Sequence, residues 1–232
     1  MNVISFSLWG KEAKHLMGAL ENLKLAKDIY PDWKCKFYVD NSISRSMVED
    51  LKYFGGKVEI VEKVENQLGD FYGMFWRFFI NDEPDVERYI IRDCDSRLNY
   101  REKVCVDEWM VSGKSFHTIH DHFLHIGYPI LGGMWDCKKG LIPDMKKMVM
   151  EWIKYFGCSK KGCDQEFLKN IIWDGVKDNC LRHDNGYQPC YGISNKIPAH
   201  KDLLYGGSFI GEAFSENNTS QKPIPKENQV ML

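Results

Sequence analysis

The feature that most constrains this chain is the regular alternation of strand-like and helix-like segments through its first half. Asn2–Leu8 is an apolar run with small polar residues between, the pattern of a buried strand. Leu16, Leu20, Leu23 and Ala26 then keep helical spacing from Glu12 to Tyr30, where Pro31 ends the run. Lys36–Val39 reads as a second strand, 44–54 as a helix stopped by Gly55 and Gly56, and 57–61 as a third strand. A helix is predicted over 71–80, ended by Asn81, Asp82 and Pro84, before a short buried strand at Arg88–Ile91. This order predicts an α/β fold with a parallel sheet covered on both faces, since each parallel pair needs a crossover long enough to hold a helix. Such sheets bind ligands beyond the carboxyl ends of their strands. Trp9-Gly10, Asp40, and Asp93 with Asp95 stand at those ends.

The second half is less regular. A helix is expected over 101–111, strands over 116–119 and 130–135, the latter kinked at Gly132-Gly133, and a helix over 165–172. Met145, Met148, Val149, Trp152 and Phe156 form an amphipathic helical stripe that reads as core. Beyond Gly211 the apolar periodicity stops, which predicts one domain over 1–213 and a mobile tail over 214–232.

Composition narrows the function. The chain has 232 residues and is 44% hydrophobic, enough for one core without disulfides. Its 31 basic and 33 acidic residues leave a net charge of -2, so no electrostatic argument favours nucleic acid as a partner. No leader with a cleavage site and no membrane-length apolar run is present, which gives a cytoplasmic expectation. The eight cysteines include no C-x-x-C pair, so they are expected as free, structural thiols rather than zinc ligands.

Asp93-Cys94-Asp95 carries the chemistry. Paired carboxylates one residue apart are common in solvated turns, yet here they follow Tyr89-Ile90-Ile91 at the end of the fourth strand. Hard oxygen donors in that place suit Mg²⁺ or Mn²⁺, and such a cation offsets the charge of a departing pyrophosphate. One carboxylate can hold the metal while the other bonds a metal water or a ribose.

The run Tyr89–Leu98, with Arg101-Glu102 and Glu108-Trp109 after it, resembles GT-A glycosyltransferases of the DxD type, in particular small stand-alone enzymes of bacteria and large DNA viruses. His120-Asp121-His122, Ile130–Trp135, Asp164-Gln165, His183-Asp184 and Phe209–Glu212 extend the likeness in order along the chain. Two departures are His120, where an arginine is usual, and Asp136, where glycine is usual. The resemblance implies a single GT-A-like domain with a Rossmann-like mixed sheet. It also implies transfer of a sugar from a nucleoside-diphosphate sugar, UDP favoured, to a glycan or other hydroxyl acceptor.

Residue roles follow from the same likeness. Asp93, Asp95 and His183 would hold the metal, with His200 the second histidine candidate. Ser7, Trp9, Arg77, Asp121, Gly132 and Gly133 would join Asp93 and Asp95 around the donor, Trp9 lining the base and the glycines letting backbone approach the sugar. Each has a plainer reading: core for Trp9, a surface ion pair for Arg77, a bulge for the glycines, a polar turn around Asp121, a structural histidine. Asp164 would be the general base of an inverting enzyme, or with Gln165 would stabilise positive charge in a retaining one; it could equally cap its helix. A haloacid-dehalogenase-type phosphatase also uses D-x-D, but on its first strand. A catalytically silent nucleotide-sugar or glycan-binding module is the other alternative.

Overall fold

The computed structural model describes residues 1–62, 71–187, 189–198 and 209–221. Its strands are β1 (Asn2–Leu8), β2 (Trp33–Val39), β3 (Lys57–Ile60), β4 (Arg88–Arg92), β5 (Phe116–His120), β6 (Met134–Lys138) and β7 (Cys180–Asp184). Its main helices are α1 (Ala13–Ile29), α2 (Arg45–Tyr53), α3 (Tyr100–Val111), α4 (Met145–Phe156) and α5 (Cys163–Phe167). The strands form one sheet in the order β3-β2-β1-β4-β6-β5-β7. The first four are parallel, β6 runs antiparallel to both β4 and β5, and β7 is parallel to β5. The mixed sheet of the GT-A-like expectation is present.

Alternation along β1 divides the core. Ile4, Phe6 and Leu8 pack with Leu23, Ala26, Leu51, Val106 and Trp109 under α1, α2 and α3. Val3 faces the opposite layer, where Phe75, Trp76, Trp135, Met145, Val149 and Phe167 meet. That second layer belongs to α4, α5 and a 3₁₀ helix at Tyr72–Asp82, where a helix is expected over 71–80. Nearly all of its side chains are buried, so packing on every side sets its turns rather than one apolar stripe.

Other elements differ from expectation for local reasons. β6 starts at Met134 rather than 130, because Gly132 and Gly133 are packed against carboxylates before the strand begins. β7 was not anticipated: its Arg182, His183 and Asp184 are buried, so its polar sequence concealed a core strand. The helix expected over 165–172 begins at Cys163 and continues, through a π turn at Leu168–Ile172, to Val176. Cys158 and Cys163 are joined in a disulfide instead of standing as free thiols; the other six cysteines are free. Residues 214–221 fold back on the core. Phe214 is 3% exposed, its amide donates to the Asp95 carbonyl at 2.8 Å, and it bridges to Ser220. Residues 222–232 lie outside the described residues. Among the described residues no helix is long and apolar enough to cross a membrane.

Candidate active site

Asp93 and Asp95 follow β4, which lies between β1 and β6 near the middle of the sheet. A strand there delivers side chains to the centre of the sheet's carboxyl edge. The Asp93 carboxylate is 46% exposed and ion-paired to Nη1 of Arg77, while Nη2 of Arg77 donates to Oδ2 of Asp164 at 3.0 Å. One buried guanidinium thus joins a carboxylate from the end of β4 to one from α5, a use of its planar fork that an ammonium cannot copy. The backbone around Arg77 is held by β1: its amide donates to Ser7 Oγ at 2.8 Å, and its carbonyl accepts from Ser5 Oγ at 2.7 Å. The small polar residues of β1 therefore grip the helix that carries Arg77. Ser7 acts through that grip.

The glycine pair closes the same centre. A Cβ on Gly133 would overlap the carboxylate of Asp93, and one on Gly132 would overlap that of Asp164. Asp95 lies beside them but faces α1, where Lys14 Nζ is 3.1 Å and His15 Nε2 3.5 Å from its Oδ2. Burial alone would raise the Asp95 carboxyl; His15 and then Lys14 more than offset it and hold the group well below the usual carboxylate range. Burial likewise raises Asp164, and the attraction of Arg77 does not fully cancel it, with Asp93 adding to the rise. A carboxyl raised in this way is a better proton acceptor than an ordinary aspartate. Gly162, not Asp164, occupies the cap position of α5, so the aspartate is turned to Arg77 instead of capping.

Two clefts meet at Met74, Arg77, Asp93 and Lys161. The larger, about 400 Å³, is also lined by Ser7, Trp9, Lys14, His15, Phe71 and Asp95. The other, about 270 Å³, takes in Leu131, Gly132, Gly133, Asp164, Gln165 and Phe209. Trp9 crosses Trp76 edge-on at 6.0 Å and lies over Gly73, where a Cβ would meet its ring. Lys14, His15 and Lys161 were missed from the sequence. A signal existed for the first two: cations in the first turn of a helix oppose its dipole, which α1 accepts with no acidic residue there.

Asp93 and Asp95 offer hard oxygen donors at one edge, the set that Mg²⁺ or Mn²⁺ takes when phosphate oxygens and water complete the shell. Among the described residues no group of three His, Cys, Asp or Glu side chains could hold a metal, so the pair fits a cation only together with a ligand's own oxygens.

The structure does not bring His183 to this pair. Its Nδ1 is 2.8 Å from His117 Nε2 and its Nε2 is 2.9 Å from Glu108. His117 in turn contacts Asp136, whose Oδ1 accepts from Arg92 at 2.7 Å, and Arg92 Nε donates to Glu102 at 2.8 Å. This chain of charge runs through the buried layer beneath α3, so His183 and Asp136 serve the interior and not the clefts. Burial, then the neighbouring His117, push the His183 imidazole down. His200 lies outside the described residues. Asp121 is also withdrawn from the clefts. Its carboxylate is buried and accepts from Arg101, from Asn185 at 2.7 Å and from the Ile210 amide at 2.8 Å. His120 is buried, and its Nε2 meets the Tyr128 carbonyl at 3.0 Å.

No family model and no curated protein matches the chain. Solved structures do resemble it. The glycosyltransferase GlyE of Streptococcus pneumoniae TIGR4 superposes with a TM-score of 0.52 at 14% identity, over 78% of this chain and 44% of that one. TarS 1-349 of S. aureus gives 0.51 at 13% identity, over 79% and 58%. The galactosyltransferase LgtC in complex with donor and acceptor sugar analogs gives 0.50 at 16% identity, over 100% of each chain. This chain therefore spans less than half the length of the GlyE structure. The fold it shares with them is that of the GT-A-type glycosyltransferases.

Proposed function

We propose that this GT-A scaffold transfers a glycosyl group from a nucleoside-diphosphate sugar to a hydroxyl of a glycan or similar acceptor, using Mn²⁺ or Mg²⁺ at Asp93 and Asp95. The observation that carries the reading is Arg77 bridging Asp93 and Asp164 where two clefts meet. In the larger cleft Lys14, Arg77 and Lys161 provide the cationic surface an anionic diphosphate needs, His15 adds a ring nitrogen that can hydrogen-bond it, and Trp9 offers a flat face for a base. Uridine is the favoured base on the sequence resemblance. The smaller cleft is left for the sugar and the acceptor.

A divalent cation would, when bound, offset the charge that grows on the departing diphosphate. Arg77 contributes to the same end from a fixed position, because its backbone and both its amino groups are already held. Gly132 and Gly133 leave room at the reacting centre that any side chain would fill. Asp164 accepts the acceptor's proton if the configuration inverts. If it is retained, Asp164 or the neighbouring Gln165 stabilises the positive charge on the sugar ring.

A screen of nucleotide sugars with Mn²⁺, read by the release of free nucleoside diphosphate, tests this reading. One donor is expected to turn over, EDTA to abolish the signal and added Mn²⁺ or Mg²⁺ to restore it. Full turnover in chelator removes the metal from the assignment, and no turnover of any donor removes the transferase.

A further inference from the structure

The segment between α4 and α5 is closed by the Cys158–Cys163 bond, with Cα atoms 5.6 Å apart. Gly157 and Gly162 stand immediately before the two cysteines, at φ of 68° and 89°, backbone that glycine adopts freely and other residues do not. The loop therefore has a hinge beside each sulfur. Between the hinges lies Lys161, which lines both clefts. The Gly162 carbonyl accepts from the amides of Gln165 and Glu166 at 3.0 and 3.1 Å, so the loop also sets the first turn of α5. At its other end the Cys158 carbonyl accepts from the amide of Phe71, a wall of the larger cleft, at 3.3 Å. Cys158 is buried, whereas Cys163 is partly exposed and is the residue of the pair nearer to solvent.

We propose that Cys158 and Cys163 form a thiol–disulfide modification site that governs the reach of Lys161 into the donor cleft, a proposal resting on the donor-binding reading above. The oxidant is a small-molecule disulfide. The Cys163 thiolate attacks one of its sulfurs, forms a mixed disulfide and releases one thiol. The Cys158 thiolate then attacks the Cys163 sulfur, closes the Cys158–Cys163 bond and releases the second thiol. Two electrons pass to the oxidant, and the two protons lost by the cysteines end on the two released thiols. Oxidised, the loop is short and fixed, and Lys161 stands against the diphosphate. Reduced, the two glycines let the loop swing and carry the exposed Lys161 away from the clefts it lines.

The test uses the whole chain, equilibrated with dithiothreitol or with glutathione disulfide, its free thiols counted by alkylation and mass spectrometry. Calorimetry in Mg²⁺ with UDP, and with inorganic pyrophosphate as a base-free probe, is expected to give roughly fivefold tighter binding to the oxidised form, the scale of one partly exposed ion pair. Trypsin is expected to cut after Lys160 or Lys161 far faster in the reduced form. Cys163→Ser should behave as the reduced protein in either buffer, and Lys161→Gln should bind weakly in both. Equal affinity of the two redox forms overturns the proposal and makes the bond purely structural. Binding of neither probe in either form overturns the donor-site reading itself, and the proposal with it.

Discussion

Asp164 concentrates the chemical question in one side chain. It is 3% exposed, ion-paired to Arg77 and raised by burial. Asp164→Asn keeps its shape and one donor–acceptor pair while removing the charge. Because Arg77 retains Asp93, thermal unfolding should shift by no more than about 1 kcal/mol of stability. Transfer to the acceptor should fall roughly 100-fold or more, while nucleotide affinity by calorimetry holds. A wild-type rate would return Asp164 to a positioning role for Arg77. The contrast with Asp136 is instructive, since both are buried aspartates. Asp136 is held below its usual range: burial would raise it, but Arg92 and His117 outweigh burial. It stays charged as part of the interior and has no route to a substrate.

Elements explain which of these residues could be read in advance. The first four strands and α1 to α3 were legible because periodicity and punctuation agreed: Pro31, Gly55-Gly56 and Pro84 fall at or next to real ends. Asp93 and Asp95 follow the end of β4 and the glycine pair precedes β6, places the strand pattern supplied, whereas Arg77 comes from the 3₁₀ helix and Asp164 with Gln165 from α5, whose approach to those strand ends a linear pattern does not show. His183 and Asp121 misled for one physical reason. Both lie on strands or strand ends where polar character looks like a ligand but is satisfied by buried partners in distant segments, which a linear reading does not reveal. The stretch after Gly211 was obscured by its polar composition, although Phe214 anchors it. Phe214 packs under the Arg97 guanidinium at 5.3 Å, and Arg97 also donates to Asn218 at 2.9 and 3.0 Å. Phe214→Ala should lower stability by roughly 3 kcal/mol or more and should weaken nucleotide binding, because losing the ring loosens the segment whose 214 amide holds the Asp95 carbonyl. Thermal denaturation and calorimetry on the one variant read both effects.

At the scale of the whole molecule, the buried carboxylate of Asp121 ties the two ends of the second half together, holding Arg101 of α3, Asn185 after β7 and the Ile210 amide. Burial raises it to about 6, with Arg101 and the Ile210 amide opposing. A carboxyl raised above its unfolded value binds its proton on folding. Its stabilising contribution is complete below the unfolded pKa of about 3.9 and is lost as pH rises through about 6. Melting temperatures between pH 4 and 7 should therefore show Asp121→Asn gaining on the wild type as pH rises across that window; a constant difference would place the titration elsewhere. The sheet order has a different consequence, for synthesis. β4 pairs on one side with β1 and on the other with β6, and β6 follows it in the chain only after α3 and β5. While the chain emerges from the ribosome, Tyr89-Ile90-Ile91 is an uncovered apolar edge until Met134–Lys138 has cleared the exit tunnel. The nascent protein is thus exposed to mispairing at the strand that leads into its aspartates, and fragments ending before Met134 should be the ones that aggregate or recruit chaperones.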